Sequence, residues 1–315
     1  MATCPDTASE TTATRAVVNH TVLAGAAIVL YAAIIGFTDN YVRLVAVTHG
    51  LWQFHAARTF MAFAIVAAAA PFLGLEPRPK RWGGVVARSL LQGFAVLLYF
   101  GCLAFLPVAV AAAGLFTAPI FVLLISRVAF GRHIGPFRIL AVGIGFVGSV
   151  LVLGPQGGAG VSVAAVLPVA AAVLYALGSI ATREWCEGES TTTLTLGFFA
   201  ALGAFGVAGL AVLAIWQPDV PAGTEGFALR GWVAPSQTFL LLTLLQAAGS
   251  LVAIGLMVRA YQIAEASRVA IFEYATLPAS AFWTWALWGE VLSFRALAGM
   301  ALIVAAGAIV ALRGR

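Results

Sequence analysis

Glu273 lies in the apolar stretch VAIFEYATLPASAFW, about one turn before Pro278. A carboxylate in the middle of an apolar helix costs roughly 2.5–3.5 kcal/mol on insertion scales, so it is retained where it faces water, a partner or a ligand. Two chemistries suit such a group: holding a cationic part of a ligand, or taking up and releasing a coupling proton. The structural alternative is an ion pair with Arg268, earlier in the same stretch. Arg58 is the matching cation, inside LWQFHAARTFMAF. Its guanidinium fork can grip a substrate carboxylate through paired hydrogen bonds. Equally, its donors can cap carbonyls freed by a broken neighbouring helix, or meet Asp39. His55 shares its helical face, which allows either a proton relay or a plain hydrogen bond.

Uncharged polar residues recur at helical spacing. Tyr175, Ser179 and Thr182 fall on one face, Gln92 and Tyr99 on another, and Gln246, Ser250 and Met257 on a third. Such stripes line a wet cavity or join helices by hydrogen bonds of about 0.6–2 kcal/mol. Tyr99, Phe116, Tyr175 and Tyr274 can present ring faces to an ammonium group, with Thr117 beside Phe116. Packing explains the same residues individually. Catalytic signatures are absent: no HExxH, GxSxG or CxxC, no phosphate-binding Walker pattern, and no His paired with carboxylates at catalytic spacing. No metal site or cofactor is expected. A channel would call for a repeated charged or carbonyl-rich filter loop, and none is present.

These residues need elements that cross a membrane. The chain is 62% hydrophobic and 9% charged, far from the roughly 25% charged of soluble domains. Its net charge of +5 is dispersed and forms no polybasic run, which argues against nucleic acid as a partner. Breaks in the apolar pattern divide it into spans near 20–42, 50–74, 84–106, 107–130, 137–154, 163–184, 192–216, 237–260, 265–288 and 295–312. Lengths near 20 residues without period-2 alternation mean helices. The fold expected is all-α and integral to the membrane, with a polar tail at 1–19. Arg78, Lys80, Arg81, Arg127, Arg132 and most other basic residues fall at one set of span ends, and Arg43, Arg230 and Arg295 at the other. That bias puts both termini in the cytoplasm.

The chain is also duplicated. GRHIGPFRILAVGIGFVGSVLVL from Gly131 parallels GEVLSFRALAGMALIVAAGAIVAL from Gly289, and VLYA occurs at Val29 and again at Val173. Five spans per half make the second half enter from the opposite side, giving inverted repeats over 20–154 and 163–312. Inversion brings Pro119 and Pro278 to similar depth near the midplane. Each lacks an amide donor and leaves a carbonyl free, so both are candidate hinges for alternating access, with a static kink as the alternative.

LPVAVAAAGLFTAPIFVLLISRVAFG and ASRVAIFEYATLPASAFWTWALWGE resemble the EamA-type family of the drug/metabolite transporter superfamily. The resemblance spans nearly the whole chain. It implies ten helices, cytoplasmic termini and a cavity lined by spans one, three, four, six, eight and nine. The family's GE after the broken helix stands at Gly289-Glu290, whereas the first half has Gly131-Arg132; Tyr31 and Tyr175 stand where the family often has tryptophan. The expected function is a secondary transporter in a bacterial inner membrane, moving a small polar metabolite, amino-acid-like or cationic, with protons as the candidate coupling ion for export. Uptake of a nucleotide-like metabolite is the alternative, and monomer and homodimer both fit.

Overall fold

The computed structural model describes residues 7–75, 77–102, 112, 114–153, 166–290 and 293–313. The start of the expected tail, most of the first half of span four and the 154–165 connection between the halves lie outside the described residues. What is described is helical, with no strand.

The helices are α1 (Thr7–Asp39), α2 (Val42–Thr48), α3 (Leu51–Leu73), α4 (Trp82–Cys102), α5 (Ala118–Val128), α6 (Pro136–Leu153), α7 (Val166–Glu184), α8 (Thr191–Trp216), α9 (Gln237–Ile263), α10 (Ala266–Phe272), α11 (Thr276–Trp288) and α12 (Phe294–Arg313). Among the described residues, seven apolar stretches are long enough to cross a membrane, the first running from His20 through α2 to Thr48; α5 and α6 contribute two shorter ones, Ala118–Val128 and Pro136–Val152. Span nine is α10 and α11 joined by a 3-10 turn at Glu273–Ala275. Helix α1 begins at Thr7 rather than near His20, so the polar segment before the membrane continues the first helix.

Local chemistry sets several boundaries. Ser190 and Ser236 cap α8 and α9 by accepting from the amides of Thr193 and Phe239. Gly131 and Gly289 both adopt positive φ, 60° and 66°, where the broken helices of the two halves end. The duplicated glycine therefore does one job twice: it permits the left-handed turn that closes each helix.

The packing follows the duplication. Helix α1 packs on α9 as α4 packs on α7; α11 lies on α1 as α5 lies on α7; and α3 pairs with α8, α6 with α12. Exchanging the halves maps this set of neighbours onto itself. Close approach depends on small residues. A Cβ on Gly148 would sit 2.7 Å from the Gly299 carbonyl, and one on Gly36 would sit 2.8 Å from the Ser280 nitrogen, so α6 meets α12 and α1 meets α11 backbone to backbone.

The longer connection in the second half, after α8, acts as a strap. Arg230 donates to the carbonyls of Ala46 (2.9 Å), His49 (3.1 Å) and Gly223 (2.8 Å), while Trp52 donates to Ala228 O (2.8 Å). Gln53 and Val233 exchange two further bonds, at 2.6 and 3.0 Å. Together these fix the start of α3, about two turns before Arg58.

Candidate functional site

Span nine breaks where its sequence cannot hold an α-helix. Pro278 has no amide to offer the carbonyl of Tyr274, and its ring crowds that carbonyl. The chain tightens to a 3-10 turn there, with Thr276 N donating to the carbonyls of Glu273 and Tyr274. Glu273 lies in this break and is 8% exposed. Its Oε1 accepts from the hydroxyls of Tyr261 (2.8 Å, α9) and Tyr175 (3.3 Å, α7). The Tyr175 hydroxyl also reaches Met257 Sδ at 3.1 Å.

No cation lies within 4.0 Å of Glu273 among the described residues. Arg268 is engaged elsewhere: its Nε is 3.4 Å from Glu265 Oε2 and it donates to Thr21 at 3.3 Å. Glu265 in turn holds Arg138 at 2.8 Å, and Ser267 binds both. The ion-pair alternative for Glu273 is therefore not realised with Arg268. The carboxylate is held by tyrosine hydroxyls, which hydrogen-bond without supplying a counter-charge.

Tyr274 is fully buried, stacks on Phe116 with centroids 6.2 Å apart, and leaves its hydroxyl without a partner among the described residues. Thr117 donates to the Gly114 carbonyl at 2.6 Å, closing the turn before α5. Pro119 falls in the first turn of α5, where its missing amide costs nothing. The helix of the first half is thus interrupted at Phe116–Thr117, just before its proline, and that of the second half at Glu273–Ala275, just before Pro278.

Toward the opposite ends of α1, α3 and α9 lies a second polar group. Asp39 accepts from Gln246 at 2.6 Å, and Ser250 donates to the Gln246 carbonyl. Arg58 is buried beside the rings of Phe54 and Phe199, with Cζ 5.8 and 5.1 Å from their centroids. It makes no ion pair with Asp39. Tyr99, half-buried, packs edge-to-face on Phe100, which does the same to His55. Tyr31 lies on α1 about two turns before Asp39 and packs against the same core as Tyr175.

Gln92 and Ser179 belong to a network that adjoins Tyr261. Arg88, fully buried, donates to Thr182 Oγ1 (3.0 Å), to the Leu194 carbonyl (2.8 Å) and to Gln92 Oε1 (3.4 Å), while Gln92 donates to Ser179 at 3.2 Å. This network ties α4, α7 and α8 together. The sequence reading counted Arg88 among the basic residues of the span ends; it lies inside the bundle because its donors find acceptors there. Tyr261 was missed. It continues the Gln246, Ser250, Met257 stripe by one more helical turn, and extending that stripe would have found it. Among the described residues no three His, Cys, Asp or Glu side chains gather as a metal site.

Known proteins resemble this chain along most of its length. Residues 23–154 match the EamA-like transporter family. A riboflavin transporter of Rhizobium johnstonii is 29% identical over 70% of this chain and 67% of its own length. One from Vibrio cholerae is 26% identical over 91% and 92%. The pseudopaline exporter CntI of Pseudomonas aeruginosa is 27% identical over 70% and 72%. A solved crystal structure shares the fold with a TM-score of 0.73, covering 93% of this chain and 98% of its own at 20% identity. Over residues 23–154 the chain is similar to the EamA-like transporter family, and the protein is a multi-span membrane transporter.

Proposed function

We propose that this protein is a secondary carrier that moves a small polar metabolite past Glu273 by rocking its two inverted halves, with both termini in the cytoplasm of a bacterial cell and the spans in its inner membrane. One observation carries the reading. Among the described residues, a buried carboxylate occupies a break in a membrane helix with only tyrosine hydroxyls as hydrogen-bond partners, and such a group is free to exchange a proton or to receive a cation. Protons are the coupling ion that fits, because the site has no resident cation to displace. Pro119 and Pro278 border the interrupted helices and are the hinges of the motion.

The substrate favoured by Glu273 alone is amino-acid-like or cationic, moved outward. A second reading, uptake of a planar nucleotide-like solute, is supported by the aromatic side chains Tyr31, Phe116, Tyr175 and Tyr274 clustered in the same core and by relatives named as riboflavin transporters. Flux into liposomes of the purified protein tests both. Amino acids, amines and riboflavin would be offered under an imposed pH gradient. Saturable uptake, accelerated by counter-substrate and driven by the gradient, is expected for one class. If no polar solute moves under either polarity, the carrier reading fails.

A further inference from the structure

The polar group around Arg58 has an unused capacity. Arg58 is 8% exposed, and its Nε has no hydrogen-bond partner among the described residues. His55, about one turn earlier on α3, is 1% exposed with neither ring nitrogen partnered, and Gln246 Oε1 is likewise unpartnered. The structural explanations for the arginine are not realised. Among the described residues it caps no carbonyl, and Asp39 takes its hydrogen bond from Gln246 instead. The rings of Phe199 and Phe54 flank the guanidinium within the ~6 Å range of cation–π contact, which steadies the charge without consuming its in-plane donors. A buried guanidinium with free edge donors is matched by a planar or tetrahedral anionic oxygen group.

We propose that Arg58, with His55 beside it, receives a carboxylate or phosphate of the transported solute. This rests on the carrier reading and narrows it. The substrate carries an anionic oxygen group at the Arg58 end and a cationic or hydroxyl-bearing part at the Glu273 end. Asp39, also within electrostatic reach of Arg58, repels a second anion and favours solutes whose remaining charge is positive or absent.

Matched ligand pairs test the inference. L-phenylalanine against phenethylamine isolates the carboxylate, and riboflavin 5′-phosphate against riboflavin isolates the phosphate. Binding to the purified full-length protein is read as the ligand-dependent rise in Tm, and flux is read in liposomes. In at least one pair the anionic member should bind about 10–100-fold more tightly than its partner. Arg58→Gln should erase that difference while leaving the neutral or amine member unchanged, and Arg58→Lys should restore part of it. A response confined to one pair identifies the group recognised. The proposal is overturned if both pairs bind without preference, if no anionic member binds, or if Arg58→Gln weakens every ligand alike. Should Arg58→Gln fail to fold, Arg58→Lys and His55→Gln carry the same comparison through the anion preference. Absence of flux for all solutes would sink the carrier reading instead, with the binding preference still deciding Arg58.

Discussion

Replacing Glu273 by glutamine separates charge from shape. The glutamine oxygen can still accept from Tyr261 and Tyr175, which donate to Oε1 at 2.8 and 3.3 Å. Two hydrogen bonds drop from the charged class, roughly 1.5–3 kcal/mol each, to the neutral class, roughly 0.5–1.5 kcal/mol, a loss of about 2 kcal/mol for the pair. Against this, the roughly 2.5–3.5 kcal/mol cost of a charge within the membrane is removed. The two nearly cancel, so thermal stability of the purified variant should match the parent to within about 1 kcal/mol. Transport should not match. A cationic group loses one charge-assisted contact, about 10- to 150-fold in apparent affinity, and glutamine cannot carry a proton. In liposomes, exchange of internal for external solute should persist at raised solute concentration, while accumulation driven by a pH gradient should vanish. Glu273→Ala is the contrasting variant: it leaves the 1% exposed Tyr261 hydroxyl unpartnered and should lose about 1–3 kcal/mol of stability as well. Gradient-driven accumulation by Glu273→Gln at the parental rate would refute the coupling role.

Three further outcomes follow from the geometry. Arg88→Ala strips donors from Thr182, Gln92 and the Leu194 carbonyl at a fully buried position, and breaking such a network should cost about 3–5 kcal/mol; a melting temperature within a degree or two of the parent would show that these contacts contribute little. Glu265, at the link between α9 and α10, is pushed upward by burial, but Arg138, Ser267 and Arg268 outweigh this and hold its pKa below the ordinary carboxylate value. A pKa depressed by folding gives stability that is present above the unfolded value and lost as pH falls through the folded one. The parent should therefore lose thermal stability on acidification through and below the usual carboxylate range more steeply than Glu265→Gln, and parallel pH profiles would dismiss the triad. Arg132 pairs with Glu184 at 2.9 Å near the ends of spans four and six, and Glu290 with Arg43 at 3.0 Å near the ends of spans nine and one, corresponding span ends bridged with the charges exchanged. Both are partly exposed and worth about 0–1 kcal/mol; Glu290→Arg should alter the transport rate severalfold and the double exchange Arg43→Glu/Glu290→Arg should restore it, whereas equal rates in all three would deny the pairs a gating part.

The broken span nine was legible before any coordinates, because proline removes a donor wherever it stands. So was the recurrence of Gly131 and Gly289, since both sequences stop a helix and turn. The polar stripes were legible as stripes, but a helical face does not reveal what it meets. Gln92 and Ser179 share faces with Tyr99 and Tyr175, yet they join the Arg88 network while Tyr175 turns to Glu273. Nor could Arg132 against Glu290 be understood from the repeat alone. Only the partners, Glu184 and Arg43, reveal that corresponding span ends are bridged by ion pairs of opposite polarity.

The sequence by itself determined the solvent, the spans, the duplication and the helix break, because hydropathy, proline and glycine act through the local backbone and need no neighbour. The tertiary structure alone decided what each buried carboxylate met and which arginine was spent. Glu273 meets tyrosines and Arg88 meets acceptors, while Arg58 meets aromatic rings. Charge pairing is set by distance across helices, and that distance exists only once the bundle has packed.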